Sequence, residues 1–475
     1  MMGQQDNQKD LFAYNVDLDR RVRASNPLRQ VAAVVDFSFV RHEVAHSYGH
    51  NGNVSVDPVV ILKMIFLLFY DNISSERELM RIIPERLDYL WFLGYGLNDE
   101  IPDHSVLSKA RARWGSEVFE KLFVRTVAAC VHAGLVDGAK IHMDGSLIRA
   151  NASTDAVVDG PPELIAALRA AYREQEQKLD EQPTGGSVNQ THLSTTDPDA
   201  QLARTGSSAS RPTYKHHRAV DNAQGVITAQ LTTGGAVKED AQLRALSEQH
   251  ERHCAATVQT IIADSQYGTV QNFLYCQNRG IAAHMADVKT AQNRAGQRGE
   301  FFRDEQFTYD ASTDTYTCPA GQRMERWQHR PDKQAWQYMA GAKVCAACPL
   351  RSQCTEAKWG RRIQRLNEQA KVDAARQQSA SPRAIADRKR RRHLMEGSFA
   401  DAANNHGFKR SRWRGLWRQR IQNSLIAACQ NVRILLKCRT SRTAQTLRPL
   451  WQHAAAVLRV ILITRQLLSI TALPC

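Results

Sequence analysis

The hydrophobic period of this chain changes near Gly138, and that change restricts the fold more than any other feature of the sequence. Before it, apolar residues recur at helical spacing. Val59 to Tyr70 (VVILKMIFLLFY) is a dense apolar run behind Asp57-Pro58, which predicts an N-cap followed by proline at the first helical position. Ser75 to Ile83 continues as helix up to Pro84, Leu87 to Gly94 carries Trp91, Phe92 and Leu93, and Ser105 to Val124 is again helical. The aromatics of these segments read as core. After Gly138, Lys140 to Ala150 (KIHMDGSLIRA) has the β-branched alternation of a strand. A helical pattern follows at Pro162 to Lys178, then a Ser/Thr/Gly/Asp-rich stretch that reads as a loop insertion. Tyr214 to Leu231 predicts a hairpin turning at Asp221-Asn222-Ala223-Gln224-Gly225. Thr257 to Ala263 predicts a buried strand, Thr269 to Asn278 a helix and Ile281 to Met285 another strand. Strand, helix, hairpin, strand, helix, strand is the order of a mixed α/β sheet.

The expected division is a helical N-terminal region over 1–136, a catalytic-type α/β domain over 137–437, and a basic tail over 438–475. The second region would hold a loop insertion at 154–212, a cysteine-bearing insertion at 301–359 and a polar linker at 369–387. From Arg388 a long helical region is expected, with Leu416, Ile421, Leu425, Cys429, Val432 and Leu436 as its apolar stripe.

Charge points to the partner. There are 63 Lys plus Arg against 48 Asp plus Glu, a net +15, which favours a polyanion such as nucleic acid. Twelve of those cations and only three acids lie between Arg383 and Arg420. A membrane partner is not expected. The most apolar stretch, Val457 to Leu468, is interrupted by Arg459 and Arg465, and no run nears the ~18 apolar residues of a spanning helix. The polar start, MMGQQDNQKDLF, lacks the apolar stretch of a signal peptide, so a cytoplasmic, nucleoid-associated protein is expected. The ten cysteines then read as reduced thiols or metal ligands.

Three acids stand out by context. Asp144 lies inside a predicted strand (IHMDGSLIRANAS), Asp264 closes another (IIADSQYG), and Glu396 sits on the basic helix (MEGSFADAANNHGFKR). An ionised carboxylate in the first two places is costly unless it is paired or metal-bound.

Taken together, these motifs resemble bacterial insertion-sequence transposases of the DDE type, from about Val56 to Lys437. SVDPVVILKMIFL, WFLGYG and IPDHSVLSKAR are similar to their helical N-terminal domain, and the three acid motifs occur in the family's order. The resemblance implies an RNase-H-like catalytic domain acting on double-stranded DNA, both element ends and target, as a homodimer or larger synapse. It implies Asp144, Asp264 and Glu396 as catalytic residues holding two Mg²⁺ ions, or Mn²⁺ in their place, with Asp144 bridging. Such a pair suits in-line displacement at phosphorus, first by water and then by the freed 3′-OH. In the family's Tyr-x2-Arg-x3-Glu-x6-Lys signature, Arg392 and Glu396 fall in place, which implies a phosphate contact for Arg392. Lys389 and Ala403 stand where tyrosine and lysine are usual. Lys409, Arg410 or Arg412 could replace the missing lysine. Trp413 and Trp417, interleaved with arginines, are candidates for stacking on an unpaired base or for packing on the sheet. The cluster Lys215-His216-His217-Arg218 reads as DNA-facing or solvated.

Cys318, Cys345, Cys348 and Cys354 place four thiols within 37 residues. The set suits tetrahedral Zn²⁺ in a small structural zinc ribbon, and related transposases carry a similar insert; unliganded thiols or a redox pair are the alternatives. Two other functions share most of these features: a non-catalytic, transposon-derived DNA-binding protein, and a metal-dependent nuclease without strand transfer.

Overall fold

The computed structural model describes residues 2, 17–49, 54–176, 186–204, 206–288 and 301–439. The basic tail expected over 438–475 therefore lies, from residue 440 onward, outside the described residues. Helices fill the N-terminal region. Pro58–Tyr70 is its axis: Asp57 caps it by accepting from the Val59 amide at 2.9 Å, Pro58 takes the first turn, and eleven of its residues are buried. A helix apolar on every side must be surrounded, and this one is. The segment expected as one helix from Ser105 is two, Ser105–Trp114 and Glu117–His132. They part at Gly115, whose φ of +73° is a backbone state open to glycine and costly for other residues.

The N-terminal helices do not form a closed module. Val60, Phe66, Phe69, Leu122 and Phe123 share one apolar cluster with Leu416, Ile421, Leu425, Cys429 and Val432 of the final helix (416–439) and with Ile148 and Tyr214 of the sheet. Arg433 donates to the Tyr70 carbonyl at 2.6 Å, which satisfies one of the open acceptors at that helix's C-terminus.

The main sheet has six strands. In spatial order they are Gln201–Ala203, Arg211–Asp221, Lys140–Arg149, Thr260–Ile262 and Ala282–His284, with Ile227–Gly234 also on Arg211–Asp221. Lys140–Arg149 is antiparallel to Arg211–Asp221 and parallel to Thr260–Ile262, which is parallel to Ala282–His284. The hairpin appears where its turn signal stands, as Arg211–Asp221 and Ile227–Gly234. Both faces are covered. A second apolar cluster with Ile141, Met143, Ala219, Leu246, Ile261 and Phe273 lies apart from the shared one.

Four readings change. His216 and His217 are not solvated: both are fully buried, because the strand bearing them is central and flanked on each face. The stretch expected as linker contains the helix Gln369–Ser379, polar in composition yet burying Val372, Ala375 and Ser379. The long basic helix starts earlier than Arg388, at Pro382, and runs to His406. Its cap is Ser381, whose hydroxyl accepts from the Ala384 amide, with proline again in the first turn. Finally, the cysteine-bearing insertion extends past 359, because its last strand is Ile363–Leu366. It is a separate five-stranded antiparallel sheet around Phe307, Tyr316, Met324, Tyr338 and Ile363.

Candidate active site

Strand register brings the first two acids together. Lys140 pairs with Thr260, Ile141 with Ile261 and His142 with Ile262, so the same register carried two residues on sets Asp144 opposite Asp264. Asp264 then turns out of the sheet and caps the Ser265–Tyr267 turn, accepting from the Gln266 amide at 2.9 Å. A third carboxylate joins them that the sequence reading did not single out. Glu239 follows the Ile227–Gly234 strand, and one oxygen each from Asp144, Glu239 and Asp264 lie within 4.8 Å of one another. All three are half-buried. Gly145 makes room for this: a Cβ there would sit 2.8 Å from the Glu239 carboxyl carbon.

Three converging carboxylates repel, and two cations partly offset them. Arg391 Nη1 lies 2.8 Å from Asp144 Oδ2, and Lys215 Nζ lies 3.5 Å from Glu239 Oε1. Burial pushes the Asp144 carboxyl up; Arg391 opposes that and Asp264 adds to it. Burial also raises Glu239, opposed by Lys215 and reinforced by Asp264 and Asp144. The donor set is all oxygen, convergent and anionic, which fits a hard divalent cation such as Mg²⁺ or Mn²⁺.

Glu396 stands apart from this trio. The Pro382–His406 helix crosses the sheet with Asp387 bound to Lys140 (3.1 Å) and His284 (2.7 Å), Arg391 on Asp144, and Ser398 accepting from Arg218 at 2.8 Å. Those positions make one stripe; at about 100° per residue, Glu396 falls well off it. It is exposed, as is Arg392, whereas Arg391 is the arginine that reaches the acids.

The other expected DNA contacts divide into two groups. Lys409 and Arg410 are exposed, and Lys409 Nζ donates to Ser146 Oγ at 2.9 Å, two residues beyond Asp144. A backbone bond from Arg149 to the Lys409 carbonyl holds that segment beside the strand. Arg412 is committed inward: it donates to the Ile73 carbonyl and, at 3.1 Å, to Asn72 Oδ1, and burial lowers its pKa to about 10. Trp413 is packed as well, under the Arg111 guanidinium at 4.0 Å and edge-on to Phe69 at 5.7 Å. Trp417 is buried in the shared core.

Cys318, Cys345, Cys348 and Cys354 all line one cavity of about 30 Å³. They do not draw together as the acids do. Among the described residues, the acid trio is the one set of three such ligands within 4.8 Å.

Comparison with known proteins matches two stretches of the chain. Residues 16–113 match the family described as "Transposase domain (DUF772)", and residues 317–436 match "Transposase DDE domain". The second match contains Glu396 and the four cysteines but not Asp144, Glu239 or Asp264. No curated protein matches the chain. Among solved structures, a cryo-EM structure of the piggyBac transposase synaptic complex with hairpin DNA is similar at 10% identity and a TM-score of 0.38. The alignment covers 90% of this chain and 78% of that one, a likeness too loose to carry weight. Among the described residues, no helix is long and apolar enough to cross a membrane. Two stretches of this one chain are thus each similar to a transposase domain, DUF772 over 16–113 and a DDE domain over 317–436.

Proposed function

We propose that this chain cuts and rejoins DNA at the ends of an insertion-sequence element, using an RNase-H-like catalytic domain. One observation carries the reading: Asp144 within one strand and Asp264 just beyond the end of its parallel neighbour fall in matched register, with carboxylates near enough to share a cation. The strand order supports it. An antiparallel three-strand unit continued by two parallel strands is the RNase-H-like arrangement that the resemblance implies.

Two Mg²⁺ ions bound at these acids would supply charge neutralisation at the scissile phosphate and a more acidic water. The chain's own residues hold the geometry. Rigid strands position Asp144 and Asp264, and Arg391 orients the Asp144 carboxylate. Glu396 is the third catalytic acid by resemblance. Lys409, Arg410 and Arg392 offer exposed cations for phosphates, with Lys409 beside the acids taking the role that Ala403 cannot fill. Arg412 and Trp413 act on DNA only through the packing they maintain. The helical N-terminal region would bind the element's terminal repeats, and two chains would act together because two ends are processed. A structural zinc at the four cysteines, which line one cavity, would draw their thiols closer than they stand here.

The test is cleavage and joining of labelled DNA bearing the element's ends, in Mg²⁺, by wild type and by Asp144→Asn, Asp264→Asn and Glu396→Gln. Joined products lost in all three variants would support the reading. Cleavage without joining would make the chain a nuclease, and end binding without chemistry would make it a DNA-binding protein.

A further inference from the structure

We propose that Glu239 is a metal-site carboxylate, and that Asp144, Asp264 and Glu239 hold one divalent cation before Glu396 takes part. The inference rests on the catalytic reading above and adds a ligand to it. Glu239 contributes an oxygen within 4.8 Å of those of both aspartates. It lies in the loop five residues past the strand that ends at Gly234, just before the Asp240–Gln242 turn, and Lys215 of the sheet holds it at 3.5 Å. Gly145 leaves the space it occupies, since a Cβ there would meet the Glu239 carboxyl at 2.8 Å.

Three carboxylates converge in a half-buried site, with Arg391 and Lys215 beside them and Arg218 acting on Asp144 from within the sheet. Tyr267 points independently to a ligand here. It is fully buried, its hydroxyl has no hydrogen-bond partner among the described residues, and the charges acting on it are those of Glu239, Asp144, Asp264 and Arg391. A buried hydroxyl without a partner is costly, and a hydrated cation between these acids would bring water for it to bond. Glu396, exposed and off the helix stripe that meets the sheet, is not a ligand of this first ion.

The test is Mn²⁺ binding to the full chain without DNA, by calorimetry and by water-proton relaxation, for wild type, Asp144→Asn, Glu239→Gln, Gly145→Ala and Glu396→Gln. Thermal melting in EDTA checks that each variant is folded. The expected result is at least a tenfold loss of affinity in Asp144→Asn and Glu239→Gln, with Glu396→Gln within twofold of wild type. Gly145→Ala, which keeps the glutamate but displaces it, should also weaken binding, and it serves alone if Glu239→Gln does not fold. Wild-type affinity in both Glu239→Gln and Gly145→Ala would overturn the inference and leave the catalytic reading intact. An equal loss in Glu396→Gln would overturn the claim that the first ion is held without it. If wild type binds no Mn²⁺, or Asp144→Asn binds it unchanged, the catalytic reading falls and this inference with it.

Discussion

Arg391 and Asp144 form an ion pair, 2.8 Å from Nη1 to Oδ2, between the basic helix and the middle of the first sheet strand. The same guanidinium donates to the Met143 carbonyl at 3.4 Å, so it grips the strand as well as the acid. Its charge favours the ionised form of Asp144 against the effect of burial. Removing it in Arg391→Gln should therefore raise the Asp144 pKa. Because a metal needs the ionised carboxylate, the pH at which Mn²⁺ binding is half lost should move upward, measured by titrating affinity against pH. An unchanged midpoint would mean that Arg391 does not set the charge of Asp144.

Arg218 ties the same helix to the sheet. It pairs with Asp144 across the strands, is fully buried, and stacks on Phe399 at 4.2 Å while donating to Ser398 Oγ and, at 3.2 Å, to Gln430 Oε1. Arg218→Ala would leave a cavity under two aromatic rings and strip Ser398 and Gln430 of their donor. The expected cost is about 3–5 kcal/mol in urea unfolding. Hydrogen exchange should rise across residues 395–402. Arg218→Lys should recover only part of the loss, since an ammonium cannot stack as a guanidinium does.

Asp197 gives the fold a pH dependence away from the acids. It is fully buried, and its Oδ1 accepts from the Tyr214 hydroxyl at 2.6 Å and from the Gly415 amide at 3.0 Å. Burial raises its pKa from 3.8 to about 6. A carboxyl with a raised folded-state pKa stabilises fully below the unfolded value and loses that contribution as pH rises through the folded one. The loss for a shift of this size is on the order of 3 kcal/mol between pH ~4 and ~7. Asp197→Asn keeps the acceptor without the charge, so its stability relative to wild type should improve as pH rises over that range. Urea unfolding at the two ends of the range checks this, and parallel pH profiles for the two proteins would refute it.

Lys409 and Arg412 lie three residues apart and should behave oppositely. Lys409→Ala should weaken DNA binding and reduce the slope of log affinity against log salt by about 1, the release expected for one phosphate contact. Arg412→Ala should leave that slope alone and lower the melting temperature, because its guanidinium serves the Asn72 and Ile73 acceptors.

The cysteine insertion should carry one zinc per chain, measurable by mass spectrometry of the purified protein. Cys345→Ser and Cys348→Ser should each lose it and loosen the small sheet around Tyr316 and Tyr338. Full zinc content in both variants would exclude these thiols as ligands.

Much of this was legible in the sequence for identifiable physical reasons. Asp57-Pro58 and Ser75 announce helix starts because caps use local chemistry, and Thr260–Ile262 is visible because a buried strand is continuously apolar. Asp144 and Asp264 were found because acids are conspicuous in such surroundings. Glu239 was not, because TTGGAVKED looks like an ordinary polar turn and its meaning depends on where the preceding strand ends. Arg391 and Arg392 are equivalent in a run of five cations; only the phase of the helix against the sheet separates them. Trp413 and Arg412 are DNA candidates in sequence because basic and aromatic residues together suggest DNA, while their packing partners, Phe69, Asn72, Ile73 and Arg111, lie some 300 residues away.

The final helix, whose apolar stripe completes the core begun by Pro58–Tyr70, makes the two ends of the described chain mutually dependent. An N-terminal region from another protein could not simply be grafted onto this sheet, because helix 416–439 would meet a surface it was not shaped for. Whatever the first helices recognise, a swap of specificity would have to carry helix 416–439 along, so inheritance should treat these two parts of the described chain as one unit.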